Sequence, residues 1–164
     1  MKPLVAIVMG SDSDLPVMEE AAKTLDEFGV PYEMTISSAH RSPKRTSDFA
    51  KDVESRGLRV IIAGAGGAAH LAGVIASETT LPVIGVPIDA SPLKGMDSLF
   101  STVQMPPGVP VATVGINNAR NAAILAVQIL AVSNKELRDK LNAFKAKLEK
   151  SVEEKAKKLT KKIS

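Results

Sequence analysis

Along the first 134 residues, short apolar runs alternate with longer amphipathic stretches. Leu4–Met9 is continuously apolar and rich in β-branched residues, the pattern of a strand buried on both faces. Gly10-Ser11-Asp12-Ser13-Asp14 interrupts it, and a helical period then runs from Leu15 to Phe28, where Gly29 closes the helix. The same unit recurs after Pro31: a strand over Tyr32–Ser37, the polar loop Ser38-Ala39-His40-Arg41-Ser42-Pro43, and a helix to about Ser55. Ser42 is placed to cap that helix, with Pro43 at the first position, where its missing N–H costs nothing. A third unit has Val60–Ala63 as strand, Gly64-Ala65-Gly66-Gly67-Ala68-Ala69-His70 as loop and Leu71–Thr79 as helix. Val83–Val86 and Val111–Val114 read as two more strands and Asn117–Val132 as a helix rich in alanine and leucine. Ile88–Pro110 is the one irregular stretch; a short helix around Met96–Gln104 is expected in it, as a lid or a subunit contact.

Five strands alternating with helices predict an α/β fold, a three-layer αβα, flavodoxin-like parallel sheet, in a single domain over residues 1–134. Beyond it, Leu137, Leu141, Phe144, Leu148, Val152, Leu159 and Ile163 recur at helical spacing among charged residues. Residues 135–164 are therefore expected to form an amphipathic C-terminal helix that packs on its own or a neighbouring subunit.

Composition narrows the function. A chain of 164 residues suits one core, and 45% hydrophobic with 24% charged residues excludes a disordered tail or a fibrous repeat. With 3% aromatic residues, stacking platforms for single-stranded nucleic acid are missing. The absence of cysteine rules out disulfides, thiolate metal sites and thiol nucleophiles. The net charge of +3 belongs to the last helix: residues 135–164 hold 11 Lys/Arg against 5 Asp/Glu, and residues 1–134 hold 10 against 13. No apolar run reaches the roughly 20 residues that span a bilayer, and Met1-Lys2-Pro3 leads directly into the first strand. The expectation is a cytoplasmic protein with neither nucleic acid nor membrane as a partner.

In open parallel sheets the ligand lies beyond the carboxyl ends of the strands, so the loops after the first three strands are the candidate site. In the first, Ser11 and Ser13 stand at a helix amino terminus, which favours a phosphate. Asp14 would repel one and is better suited to sugar hydroxyls, or it or Ser13 simply caps the helix. In the second, Ser38, His40 and Arg41 lie together; the guanidinium can fork two N–H groups onto a phosphate, and the imidazole can give and take a proton near neutral pH. A structural or solvated histidine is the competing reading. In the third, Ala65 and Gly66 leave backbone N–H groups open to a flat ligand, although a tight packing turn would look the same. The spacing G-x-G-x-x-G of dinucleotide folds is not met. His70 lines the same pocket or serves the fold. The two histidines have no carboxylate at ligand spacing, so no metal site is expected, and no Gly-x-Ser-x-Gly elbow is present.

Taken together, Val8–Asp14, Ser38–Pro43, Ala63–Leu71, Gly85–Pro87 and Ser101–Pro106 resemble the class I PurE family, the N5-carboxyaminoimidazole ribonucleotide mutases of bacterial purine synthesis. The resemblance runs to about Val132. It implies a three-layer α/β subunit assembling into a homo-octamer, with the pocket at a subunit junction, a small-molecule ribonucleotide as substrate, and no metal, biotin or nucleotide cofactor. It implies His40 as general acid/base, Arg41 as a phosphate contact, and Ser11 and Asp14 as substrate-binding positions. Ser13 and Ser38 lie in the same binding loops, and Ala65, Gly66, His70 and Leu71 fall where the family lines the pocket for the migrating carboxyl group. Ala72, where many relatives have proline, Pro107, where a basic residue is common, and a short Gly115–Asn118 segment depart from the pattern at the pocket rim.

Animal-type carboxylases, which use carbon dioxide directly, typically carry Lys-Gly where this chain has Arg41-Ser42; the resemblance favours the mutase. The alternatives are such a carboxylase, or a flavodoxin-like module holding a flavin or a nucleotide phosphate at Gly10–Asp14. The three loops lack the aromatic residues that would sandwich a flavin, and a pure binder has no need of His40.

Overall fold

Each strand–loop–helix unit becomes one rung of a parallel sheet. In the computed structural model, which describes residues 2–163, the strands are β1 (Val5–Met9), β2 (Tyr32–Ile36), β3 (Val60–Gly66), β4 (Val83–Ile88) and β5 (Ala112–Thr113). They pair in the order β2-β1-β3-β4-β5, every pair parallel. This is the flavodoxin-like doubly wound order, with its switch point between β1 and β3. The helices are α1 (Leu15–Phe28), α2 (Pro43–Asp52), α3 (Leu71–Glu78), α4 (Met96–Val103), α5 (Ala119–Ala131) and α6 (Lys135–Ile163).

Alternation along the strands sorts the core into two layers, because successive side chains of a strand point to opposite faces. Val5, Ile7, Met9, Val60, Ile62, Ile84 and Val86 meet α1 and α5 on one face. Ala6, Val8, Ile61, Ala63 and Val83 meet α2 and α3 on the other. α5 turns Ala119, Ala122, Ala123 and Ala126 inward, all fully buried, so that it seats close to the sheet.

Several boundaries differ from the sequence pattern for identifiable reasons. β3 continues through Gly64, Ala65 and Gly66 because these residues pair with Val86, Pro87 and Ile88, which lengthen β4 in turn. Pro87 is tolerated because its position faces the β5 side, and β5 has already ended at Thr113, opposite Gly85. β5 shrinks to two residues at the sheet edge. α2 stops at Asp52, and the chain turns through Gly57 in the left-handed region (φ 91°). α5 starts at Ala119, where the Asn118 side chain accepts a hydrogen bond from the Asn121 N–H at 3.1 Å and caps the helix.

The first turns of α6 belong to the body of the protein. Leu137 and Leu141 are buried, Phe144 meets Phe28 edge to face with centroids 5.6 Å apart, and the Lys140 ammonium donates to the Phe28 carbonyl at 3.0 Å. Farther along, Leu148, Val152 and Leu159 are more than half exposed. The side chain of Ile163, the last of the apolar row, lies outside the described residues. Among the described residues no helix is long and apolar enough to cross a membrane. Leu141→Ala should therefore cost about 2–5 kcal/mol of stability in urea unfolding, whereas Leu159→Ala should stay within about 0.5 kcal/mol for the isolated protomer.

Candidate active site

The carboxyl ends of β1, β2 and β3 are held level by ladder hydrogen bonds that continue past the strands. The Gly10 N–H donates to the Gly64 carbonyl at 3.1 Å and the Ser37 N–H to the Met9 carbonyl at 2.9 Å. The three loops consequently open onto one cleft of about 400 Å³. All ten residues singled out from the sequence line it: Ser11, Ser13, Asp14, Ser38, His40, Arg41, Ala65, Gly66, His70 and Leu71. Sequence reasoning missed Ala90, which reaches the cleft from the loop after β4. The signal was there in the small, Pro-punctuated run Asp89-Ala90-Ser91-Pro92 at a strand's carboxyl end.

The first loop is braced by its own acids. Asp12–Asp14 forms a 3-10 turn in which the Ser11 N–H donates to Asp14 Oδ2 at 3.0 Å. Asp12 Oδ1 accepts from the Ser11 hydroxyl at 2.9 Å and from the Ser13 N–H at 3.1 Å. Asp14 precedes α1 but makes no side-chain hydrogen bond to its first turn, so its carboxyl is not a simple cap. It is only 4% exposed. Burial pushes its carboxyl above the ordinary carboxylate range, against the hydrogen bonds from Ser11 and Gly10 and the charge of Arg41. Asp12, in open solvent, is held lower than usual, chiefly by the Ser11 hydroxyl and then by the Ser13 N–H.

The second loop is a knot of serines beneath two functional side chains. Ser37 is buried and its hydroxyl shares a hydrogen bond with the Thr46 hydroxyl at 2.8 Å. The Ser42 hydroxyl does not cap α2 as the sequence suggested. It donates to the Ser38 carbonyl at 3.0 Å and accepts from the Ser38 N–H at 3.2 Å, closing the loop on itself. Arg41 is drawn across the cleft mouth, donating to the Gly10 carbonyl at 3.0 Å. With a second, longer bond from Nε to the Ser38 hydroxyl at 3.4 Å, this orients the guanidinium while leaving it further N–H donors for an anion.

The third loop forms the floor. A Cβ built at Gly66 would stand 2.5 Å from the Cβ of Ala90 and 3.3 Å from the Ile88 carbonyl, so only glycine lets the two loops approach; Gly67 follows with φ of 60°. His70 stands at the start of α3, again without a side-chain cap. Its Nδ1 lies 2.8 Å from Nε2 of His40. His70 therefore lines the cleft in contact with the candidate acid/base. Among the described residues, no cluster of three or more His, Asp or Glu side chains is arranged to hold a metal ion.

The raised Asp14 carboxyl makes a prediction about stability. The folded chain keeps that proton to higher pH than the unfolded chain, so stability falls as pH rises from the ordinary carboxylate range through the native value, and the loss persists above it. Asp14→Asn removes this contribution. Urea unfolding at about pH 4 and about pH 7 should show the variant gaining on the wild type as pH rises; a constant difference would contradict the burial argument.

The similarity of this chain to other proteins extends over nearly its whole length. The chain matches the family model described as AIR carboxylase over residues 4–151. It is 63% identical over 158 residues to a Pyrococcus horikoshii protein named N5-carboxyaminoimidazole ribonucleotide mutase, covering 96% of this chain and 89% of that one. It is 60% identical to the Thermotoga maritima protein of the same name, covering 96% and 92%. A Schizosaccharomyces pombe protein named phosphoribosylaminoimidazole carboxylase is 60% identical, covering 97% of this chain but 29% of that longer one. The crystal structure of Treponema denticola PurE superposes with a TM-score of 0.81 at 30% identity, covering 94% and 98%. The chain belongs to the AIR carboxylase family, and its similarity to the mutases over nearly its whole length places it with class I PurE.

Proposed function

We propose that this protein interconverts N5-carboxyaminoimidazole ribonucleotide and 4-carboxyaminoimidazole ribonucleotide in purine biosynthesis, as a carboxyl-migrating isomerase of the cytoplasm. The observation that carries the reading is the convergence of two imidazoles, one guanidinium and one buried carboxyl over a floor of small residues, in a chain whose relatives bear the mutase name.

The roles follow from the chemistry of each group. Arg41 and the Ser13 hydroxyl hold the phosphate, and Asp14, beside Ser11, accepts from the ribose hydroxyls. Ser38 shapes the loop that carries His40. Protonated His40 gives its proton to the carbamate nitrogen; the C–N bond breaks, carbon dioxide is released, and its electron pair stays on the aminoimidazole. The enamine-like C4 then attacks the carbon dioxide, forming the new C–C bond, and neutral His40 takes the C4 proton to restore aromaticity. Ala65, Gly66, Ala68 and Leu71 leave room beside the ring for a molecule the size of carbon dioxide. Fixing the ring and excluding water supply much of the acceleration.

In the protomer His40 and His70 are exposed, so holding the released gas calls for a neighbouring subunit over the cleft. The proposed homo-octamer supplies one. Two unpaired apolar surfaces support assembly: Met96, Phe100 and Val103 on one side of α4, near the exposed Leu93, and the outer part of α6, which on this reading lies against another subunit. Light scattering should give eight times the chain mass of 17.3 kDa, and Phe100→Glu should lower both the mass and the activity. A fully active monomeric wild type would contradict the closed-pocket account.

The activity test supplies freshly made N5-carboxyaminoimidazole ribonucleotide, without ATP or metal, and follows the C4-carboxylated product spectroscopically. Wild type should convert it, and His40→Asn should lose about 10²-fold or more. A wild type that ignores this substrate yet carboxylates aminoimidazole ribonucleotide at ordinary bicarbonate would be the carboxylase that the fungal relatives' name describes.

A further inference from the structure

His40 and His70 are the only histidines in the chain, thirty positions apart, and the fold brings them into direct contact. Nε2 of His40 and Nδ1 of His70 are 2.8 Å apart, with the rings edge to face at 76° and centroids 4.9 Å apart. A nitrogen–nitrogen contact this short is favourable only with one proton between the atoms. Two bare lone pairs would repel, and two N–H groups would clash.

The surroundings indicate which ring holds that proton. His70 begins α3, where the unpaired N–H groups and the positive end of the helix dipole oppose a cation on the ring. His70 is thus the acceptor, with its own proton on Nε2, and His40 is the donor. We propose that His70 is a positioning residue for His40: its Nδ1 accepts from His40 Nε2–H, fixes that ring in the cleft and stabilises its protonated state. The proposal rests on the mutase reading for its kinetic consequences, but not for the pairing itself.

The consequence is directional. With Nε2–H held by His70, the proton that protonated His40 gives to the carbamate nitrogen leaves from Nδ1, and the Nε2–H···Nδ1 hydrogen bond persists in the neutral ring. That hydrogen bond is stronger from the charged ring than from the neutral one, which makes His40 a stronger base when the C4 proton must be removed. The returning proton goes back to Nδ1, so none is gained or lost over the cycle. The other charged groups lining the cleft are Asp14 and Arg41; those lining it from the third loop, α3 and the loop after β4 are uncharged apart from His70. Asp14 and Arg41 are common to every variant below, so their influence cancels in comparison.

The experiment uses the full-length assembled protein. Histidine-selective 15N labelling resolves both rings in a chain with only two, and each is titrated in the wild type, His70→Leu and His70→Asn, the last keeping an acceptor oxygen near the position of Nδ1. In the free wild type the neutral form of His40 should carry its proton on Nε2. Its titration midpoint should fall in His70→Leu and recover in His70→Asn. In turnover, kcat of His70→Leu should drop about tenfold to a hundredfold with little change in KM, the high-pH limb of its pH–rate profile moving to lower pH, and His70→Asn should recover most of the loss. A His40 ring whose titration and tautomer are the same in wild type and His70→Leu would overturn the proposal, as would a variant in which KM alone changes. If the rings titrate as a coupled pair while the wild type leaves the mutase substrate untouched, the pairing stands and the functional reading fails.

Discussion

The site depends on one constraint, the parallel register that brings the ends of β1, β2 and β3 to the same level. Met9 pairs with Ile36 on one side and Gly64 on the other, and the ladder then runs on into the loops through the Ser37–Met9 and Gly10–Gly64 hydrogen bonds. Every residue of the cleft leaves the sheet within a few positions of this line. A slip of one residue in any strand would reverse its inward and outward faces and carry its loop away from the other two. β1 and β3 are among the most buried parts of the molecule and the half-buried edge strand β2 is registered on β1, so the positions of Ser11 and Gly66 are underwritten by the hydrophobic core and that of His40 by the β1–β2 ladder.

On that frame the loops divide the chemistry by size and charge. Under the proposed function the loop after β1 offers serine hydroxyls and a buried carboxyl, the loop after β2 the cation and the proton carrier, and the loop after β3 space. Space is a requirement of equal standing. Gly66 touches the Ala90 loop so closely that no side chain fits, and the floor therefore stays low enough for a flat ring and a small gas molecule. The serine pairs beneath His40 and Arg41 serve the same end, satisfying the backbone of a tight turn locally and leaving the functional side chains for the ligand.

Much of this was legible in the sequence because the strands are short and apolar and the loops abrupt. The parallel, flavodoxin-like sheet and the three loops that line the cleft followed from where the polar and glycine-rich segments interrupt the apolar runs, while Leu71 came only from the family resemblance. Strand ends were less legible: glycine and alanine in Gly64-Ala65-Gly66 look like loop, and only pairing with Val86-Pro87-Ile88 makes them strand. Ser42 looked like a helix cap because serine before proline has that local preference, yet its hydroxyl is consumed within its own loop. The His40–His70 contact could not be read at all, since it depends on the relative height of two loops separated by thirty positions.

The central claim is that the carboxyl group migrates within a pocket that retains it. The most direct measurement follows 13C placed in the carbamate carboxyl of N5-carboxyaminoimidazole ribonucleotide during single turnover in unlabelled bicarbonate. The account predicts that the label arrives in the C4 carboxylate of the product with little dilution. Product carrying carbon from the bicarbonate pool, with the label lost to solution, would contradict it.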